Sequence, residues 1–319
     1  MLTNTPSKAD IITAHNRIEP YINRTPVLTS QTFNSLFSTS LFFKCENFQK
    51  AGAFKSRGAV NLVFSLSDQE AKKGVCTHSS GNHAQALARA AQIRNIPSYI
   101  VMPSNAPKVK VNAVKEYGGQ ISFCEPTLEA RESTLLKVQK TTGAYEVHPY
   151  NNYSIIAAQA SASIELFKDI SEHLDILLCP VGGGGLLSGT ALGNYYFSEG
   201  TKVIACEPKG ADDAYRSFHK GEIIPSIEPK TIADGLLTSL GSKNFPIIQK
   251  FVDNIVTVSE DNIIKAMRLI YERMKIIVEP SSAVPLAAIL ENKVDVRNKK
   301  VGIILSGGNV DLNDLPFGL

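Results

Sequence analysis

Apolar runs of strand length alternate with amphipathic stretches of helix length along most of this chain. Leu41-Phe42-Phe43-Lys44-Cys45, Val75-Cys76-Thr77-His78, Ser98-Tyr99-Ile100-Val101-Met102 and Gln120-Ile121-Ser122-Phe123-Cys124 read as strands. Residues 175–179, 202–206 and 301–305 read the same way. Between them, residues 82–94, 128–141, 155–167 and 260–274 place apolar positions at helical spacing. Strands that take turns with helices predict a parallel α/β architecture. In such sheets ligands sit at the C-terminal ends of strands. Three glycine-containing loops fall at such ends, around residues 79–83, 182–185 and 306–309. The alternation over residues 75–148 is long enough to build a small sheet of its own.

Composition narrows the class without naming a chemistry. A chain of 319 residues suits two domains or one large one, and 43% hydrophobic with 20% charged residues predicts a globular protein. The net charge of +3 is small and the basic residues are mixed with acids. Neither nucleic acid nor a membrane surface is therefore expected as a partner. The five cysteines, Cys45, Cys76, Cys124, Cys179 and Cys206, are odd in number and form no C-x-x-C pair. They read as reduced core residues in a reducing compartment. The start Met1-Leu2-Thr3-Asn4-Thr5 shows no basic stretch followed by an apolar core, and no apolar run reaches membrane-spanning length. A cytoplasmic protein is the expectation.

The chemistry concentrates in four places. Ala53-Phe54-Lys55-Ser56-Arg57-Gly58-Ala59 sets one lysine between an aromatic ring and a glycine. A lysine amine there can form a Schiff base with an aldehyde cofactor and later act as a proton base. Gly182, Gly183, Gly184 and Gly185 stand between a buried strand and a helix. Without Cβ obstruction their N–H groups can converge on an anion, helped by the positive end of the helix. No Gly-Lys-Ser/Thr follows and G-x-G-x-x-G is absent, so a P-loop and NAD are disfavoured. Ser79-Ser80-Gly81-Asn82-His83 is a helix start that either binds a carboxylate or simply caps, and His83 is equally a core histidine. Ser306-Gly307-Gly308-Asn309 is a close backbone approach to a ligand or a plain turn. Glu207, Asp212 and Asp213 gather three carboxylates after a strand, as a hard-cation loop or a solvated acidic turn.

Together these motifs resemble the fold-type II pyridoxal-phosphate enzymes, in the branch of serine racemases and serine/threonine dehydratases. The resemblance runs from about Ile18 to Leu312. It implies an α/β fold of the tryptophan synthase β-like type, with two parallel-sheet domains, the smaller inserted in the larger. Residues 1–73 and 151–319 would form the large cofactor-binding domain and residues 74–150 a small mobile one. It also implies pyridoxal 5'-phosphate as cofactor, joined to Lys55, with Phe54 packed on the ring and Asn82 at the phenolic oxygen. Gly182, Gly183, Gly184, Gly185 and Leu186 would hold the phosphate, and Ser306 would face the pyridine nitrogen. Lys55 and Ser80 become the proton carriers on the two faces of the substrate. Ser79, Ser80, Asn82, His83, Arg131 and Thr238 become substrate contacts. Glu207, the Ala211 carbonyl and Asp213 match a site for magnesium or calcium. Gln85, Tyr117 and Lys275 match a nucleotide-effector site for ATP, although Tyr150 stands where animal racemases have asparagine. The implied activity is racemisation of serine with accompanying β-elimination to pyruvate and ammonia, in a homodimer. Dehydration of threo-3-hydroxyaspartate, or of L-serine and L-threonine, with little racemisation is the alternative.

Overall fold

The strands that read as unbroken apolar runs are buried on both faces, which is where parallel sheets put them. The computed structural model describes residues 5–79 and 81–317. Ten strands run through them: β1 (Val27–Leu28), β2 (Ser40–Cys45), β3 (Val75–His78), β4 (Ser98–Pro103), β5 (Gln120–Cys124), β6 (Tyr145–Glu146), β7 (Ile176–Pro180), β8 (Lys202–Pro208), β9 (Asn254–Val258) and β10 (Lys300–Leu305). A six-stranded sheet has the order β1-β2-β10-β7-β8-β9, and a four-stranded sheet the order β5-β4-β3-β6. All described pairings are parallel except β1 on β2. In the middle of the larger sheet Ile303 of β10 lies beside Phe43 of β2 and Leu178 of β7. The four-stranded sheet is built wholly from residues 75–146.

Sheet order brings two of the three glycine-containing loops together, and side-chain bonds of Asn82 to Glu279 and Asn309 add the third. The three loops follow β3, β7 and β10, and β7 and β10 are neighbours. Residue 307 adds an isolated antiparallel bridge to Ala53, just before the lysine motif. Ahead of that motif Ala51 and Gly52 take positive φ values of 53° and 69°. This turn ends the approach from β2 and lets the helix Lys55–Ser65 begin at the lysine itself.

That helix is anchored by buried charge. The Arg57 guanidinium, fully buried, forks to Glu46 at 2.7 and 2.8 Å and to Glu165 at 2.7 and 2.8 Å. Lys44, also fully buried, reaches Glu165 at 2.7 Å. Bidentate pairing offsets the large desolvation cost of these ions. Breaking such a set by removing one partner typically costs about 3–5 kcal/mol, so the first turn after Lys55 is held stiffly.

Three strands escaped the sequence reading. β1 and β6 are two residues long, too short to show a period. β9 is β-branched but sits directly after an apolar helix end, so its boundary is blurred. The single helix expected over residues 155–167 is two, Tyr153–Gln159 and Ser161–Asp169. At the junction Ser161 Oγ bonds back to Ala158 O and competes with the helix ladder. The cysteines are all free, four of them buried and Cys124 half-buried. No helix among the described residues is long and apolar enough to cross a membrane.

Candidate active site

Lys55 Nζ donates to Pro149 O at 2.8 Å and lies 5.1 Å from the Phe54 ring centroid and 6.0 Å from that of Tyr150. The residue keeps some exposure, but its amine sits among apolar walls. Burial pulls the ammonium down to about 8, against a smaller upward pull from the Glu279 charge. A larger neutral fraction follows near neutral pH, which a nucleophilic or basic amine requires.

The glycine tetrad bends between β7 and the helix Gly185–Phe197. Its outer side is filled: a Cβ at Gly183 would lie 2.5 Å from the Tyr150 ring, and one at Gly185 would lie 2.9 Å from Tyr150 Cβ. Gly184 at φ +91° lies in the left-handed region that favours glycine. The N–H groups of Gly182 to Gly185 meet no acceptor among the described residues. Free donors at a helix start, with Leu186 in its first turn, make an anion cradle.

At the third loop Ser306 is buried, and its Oγ lies 3.1 Å from Ser282 Oγ. Its carbonyl accepts from Phe54 N at 3.0 Å, which joins this loop to the lysine motif. Asn82 is pinned from both sides. Its Nδ2 donates to Glu279 at 2.8 and 3.0 Å, and its Oδ1 accepts from Asn309 Nδ2 at 3.0 Å. Burial first, and then the Asp234 charge, push Glu279 up to about 7. His83 is buried with Nε2 at 2.9 Å from Val147 O, and burial holds it down at about 3. Its ring is a core ring, packed against Val147 O rather than facing the site. Ser79 N–H bonds Val101 O at 3.0 Å. Ser80 lies outside the described residues.

Arg131 belongs to the helix Leu128–Thr142, and its Nε reaches only Thr127 O, at 3.3 Å. Thr238 is exposed, with its hydroxyl near the Tyr150 phenol. No hydrogen bond among the described residues joins Arg131 to Thr238. Lys110 instead pairs with Asp234, and this pair links the segment bearing the small sheet to the rest. Gln85 is buried in the helix Asn82–Arg94, and Tyr117 ends the neighbouring helix Lys108–Glu116. Lys275 caps the helix Glu260–Met274, and no hydrogen bond among the described residues ties it to the other two.

Two of the three carboxylates in this loop are buried, while Asp212 is half-exposed and pairs with Arg216 at 2.7 Å. Glu207 and Asp213 are both fully buried, and Ala211 nearly so. Glu207 accepts from Ala214 N at 2.9 Å and Tyr215 N at 2.8 Å. Asp213 accepts from Leu240 N at 3.1 Å, while its Oδ1 meets no partner among the described residues. Burial pushes Glu207 up to about 9, with Asp213 adding to it, and pushes Asp213 to about 6. Two buried acids with an unmatched oxygen suit a hard cation.

A phosphorylated aldehyde fits the main site on these grounds: an amine at Lys55, an aromatic wall at Phe54, a hydroxyl at Ser306 and open N–H groups at the tetrad. Glu279, Tyr150 and Pro149 O complete it. Glu279 with Pro280 belongs to the pattern that carries the family resemblance, but its place beside Asn82 is not legible in the sequence. Pro149 enters through its carbonyl, which leaves no mark in a side-chain pattern.

Residues 18–307 match the family model described as pyridoxal-phosphate dependent enzyme. The chain is 52% identical to serine racemase of Dictyostelium discoideum, over 96% of this chain and 95% of that protein. It is 50% identical to β-hydroxyaspartate dehydratase of Paracoccus denitrificans, over 98% and 99%. The crystal structure of the Dictyostelium enzyme superimposes with a TM-score of 0.89, over 95% of this chain and 98% of that one. Maize serine racemase, 45% identical, superimposes with a TM-score of 0.93 over 96% and 94%.

Proposed function

The chain belongs to the family of pyridoxal-phosphate dependent enzymes, and from that premise we propose that it is a serine racemase that also converts serine to pyruvate and ammonia, the water lost by β-elimination being returned when the released enamine hydrolyses. The full-length likeness to serine racemases carries this reading. Pyridoxal phosphate, once bound, supplies the electron sink that makes an α-proton removable. Lys55 anchors the cofactor and moves the α-proton on one face. Its lowered basicity keeps the amine available near neutral pH. Ser80 serves the other face. Gly182 to Gly185, with Leu186, hold the phosphate, Phe54 backs the ring and Asn82 orients it. Ser306 would present a neutral hydroxyl at the pyridine nitrogen, and the bound group would then supply a weak sink suited to reprotonation and to loss of hydroxide.

Incubation of the purified chain with L-serine tests the reading, with D-serine and pyruvate measured together. Both products are expected. Pyruvate without D-serine would replace this reading by the second one, a dehydratase acting on threo-3-hydroxyaspartate or on L-serine and L-threonine. The equally extensive likeness to a β-hydroxyaspartate dehydratase favours that second reading.

Glu207, Asp213 and the Ala211 carbonyl are proposed to hold magnesium or calcium. The cation would neutralise two buried carboxylates and stabilise the folded state by mass action. EDTA should lower Tm and activity, and either cation should restore both. A melting curve unchanged after verified metal removal would return the loop to a self-contained helix cap, a role in which Glu207 already serves Ala214 and Tyr215.

Residues 74–150 are proposed to close as a unit on the body formed by 1–73 and 151–319. Ser79, Ser80, Asn82, His83 and Arg131 would grip the substrate from the moving side and Thr238 from the other, excluding water. Crystal structures with and without malonate should differ in the angle between the two sheets, with Arg131 gaining a partner across the cleft. Identical geometry with malonate bound would rule closure out. A cytoplasmic homodimer completes the reading, with ATP as an effector at Gln85, Tyr117 and Lys275.

A further inference from the structure

One buried side chain holds the glycine loop from outside. Asn244 is fully buried and precedes the helix Phe245–Phe251, yet its side chain makes no capping bond to that helix. Its Nδ2 donates to Gly183 O at 2.9 Å and to Tyr150 O at 3.3 Å. Its Oδ1 meets no partner among the described residues. A flipped amide would set Oδ1 against both carbonyl oxygens, so the two acceptors fix its orientation. Gly183 O also accepts from Gly241 N at 3.1 Å.

The C=O and N–H of one trans peptide point in opposite directions. Gly183 C=O and Gly184 N–H share a peptide plane. Whatever fixes that carbonyl outward therefore aims the N–H into the cradle. The same Nδ2 also grips Tyr150 O, next to Pro149, whose carbonyl holds Lys55 Nζ. One amide group thus joins the anion loop to the segment beside the lysine.

We propose that Asn244 is a positioning residue that aims the Gly184 N–H at the cofactor phosphate and ties the glycine loop to the segment beside Lys55. This rests on the reading that Gly182 to Gly185 hold the phosphate. Cofactor-free protein is titrated with pyridoxal phosphate and, separately, with pyridoxal, which lacks the phosphate. The visible absorbance of the lysine-bound forms gives both affinities, and their ratio measures the phosphate grip.

Asn244→Ala should lower that ratio about tenfold, the loss expected for one hydrogen bond in a charged site. Pyridoxal binding does not use the loop and should weaken only about threefold, through loss of the longer 3.3 Å bond to Tyr150 O beside the lysine's partner. The phosphorus resonance of the bound cofactor should also shift. Asn244→Ser keeps one smaller donor and should fall between. It is read by the same ratio if the alanine variant does not fold. A ratio equal to wild type in the folded variants overturns the proposal alone. A wild-type chain with no preference for the phosphorylated form overturns the phosphate reading and the proposal with it.

Discussion

Lys55→Ala is expected to abolish both D-serine and pyruvate formation, by at least about a thousandfold, together with the visible absorbance of the bound cofactor. The amine has two jobs, covalent anchor and proton carrier, and no other lysine stands at Pro149 O beside the Phe54 ring. The loss should not come from unfolding. Lys55 is pulled from its ordinary 10.5 to about 8 in the folded chain, so its charge disfavours folding at neutral pH. That penalty is fully present below about pH 8 and fades as pH rises toward 10.5. The cofactor-free variant should therefore melt no lower than cofactor-free wild type at pH 7. Retained turnover would end the proposed mechanism. A large drop in Tm would assign the loss to folding.

The fold was largely legible because the central parallel strands are buried on both faces and so read as plain apolar runs, whereas the half-exposed β5 shows as an alternating one. β7 and β10 are the clearest cases, with glycine loops directly after them. The helix Asn82–Arg94 was bounded by its period alone. Short edge elements were not legible, since a two-residue strand such as β1 or β6 takes its identity from its partner and not from its own pattern.

The site divides the same way. Motif residues proposed to bind through backbone N–H groups stand out, because glycine and a helix start are needed for such a cradle. Residues that act by supporting them do not. Glu279 stands just before a helix start without capping it through its side chain, and braces Asn82. Asn244 stands outside every motif, yet it holds the Gly183 carbonyl of the glycine loop at 2.9 Å. The carboxylate loop was ambiguous because sequence does not give burial. Zero exposure of Glu207 and Asp213 is what separates a buried acid pair from a solvated turn. His83 shows the converse: it stands inside a motif, but its ring faces Val147 O in the core.

Ser80→Ala is expected to cut D-serine formation from L-serine by at least about a hundredfold while pyruvate formation survives. Racemisation needs a proton removed on one face and another delivered on the opposite face. Elimination from L-serine needs removal on one face only, followed by departure of hydroxide. If Lys55 works on the L face, a chain lacking the second carrier still opens L-serine but cannot close it as D-serine. Ser80 comes between Ser79, whose Oγ accepts from Gly81 N at 3.3 Å, and the helix start at Asn82, where the substrate carboxylate is proposed to bind. Solvent deuterium separates the two steps. In D2O the variant should still exchange the α-hydrogen of recovered L-serine, because Lys55 returns the proton to the face it came from. D-serine should stay near background throughout. Undiminished D-serine formation would remove Ser80 from the mechanism, and loss of α-exchange together with both products would show that the substitution damages the Lys55 side as well.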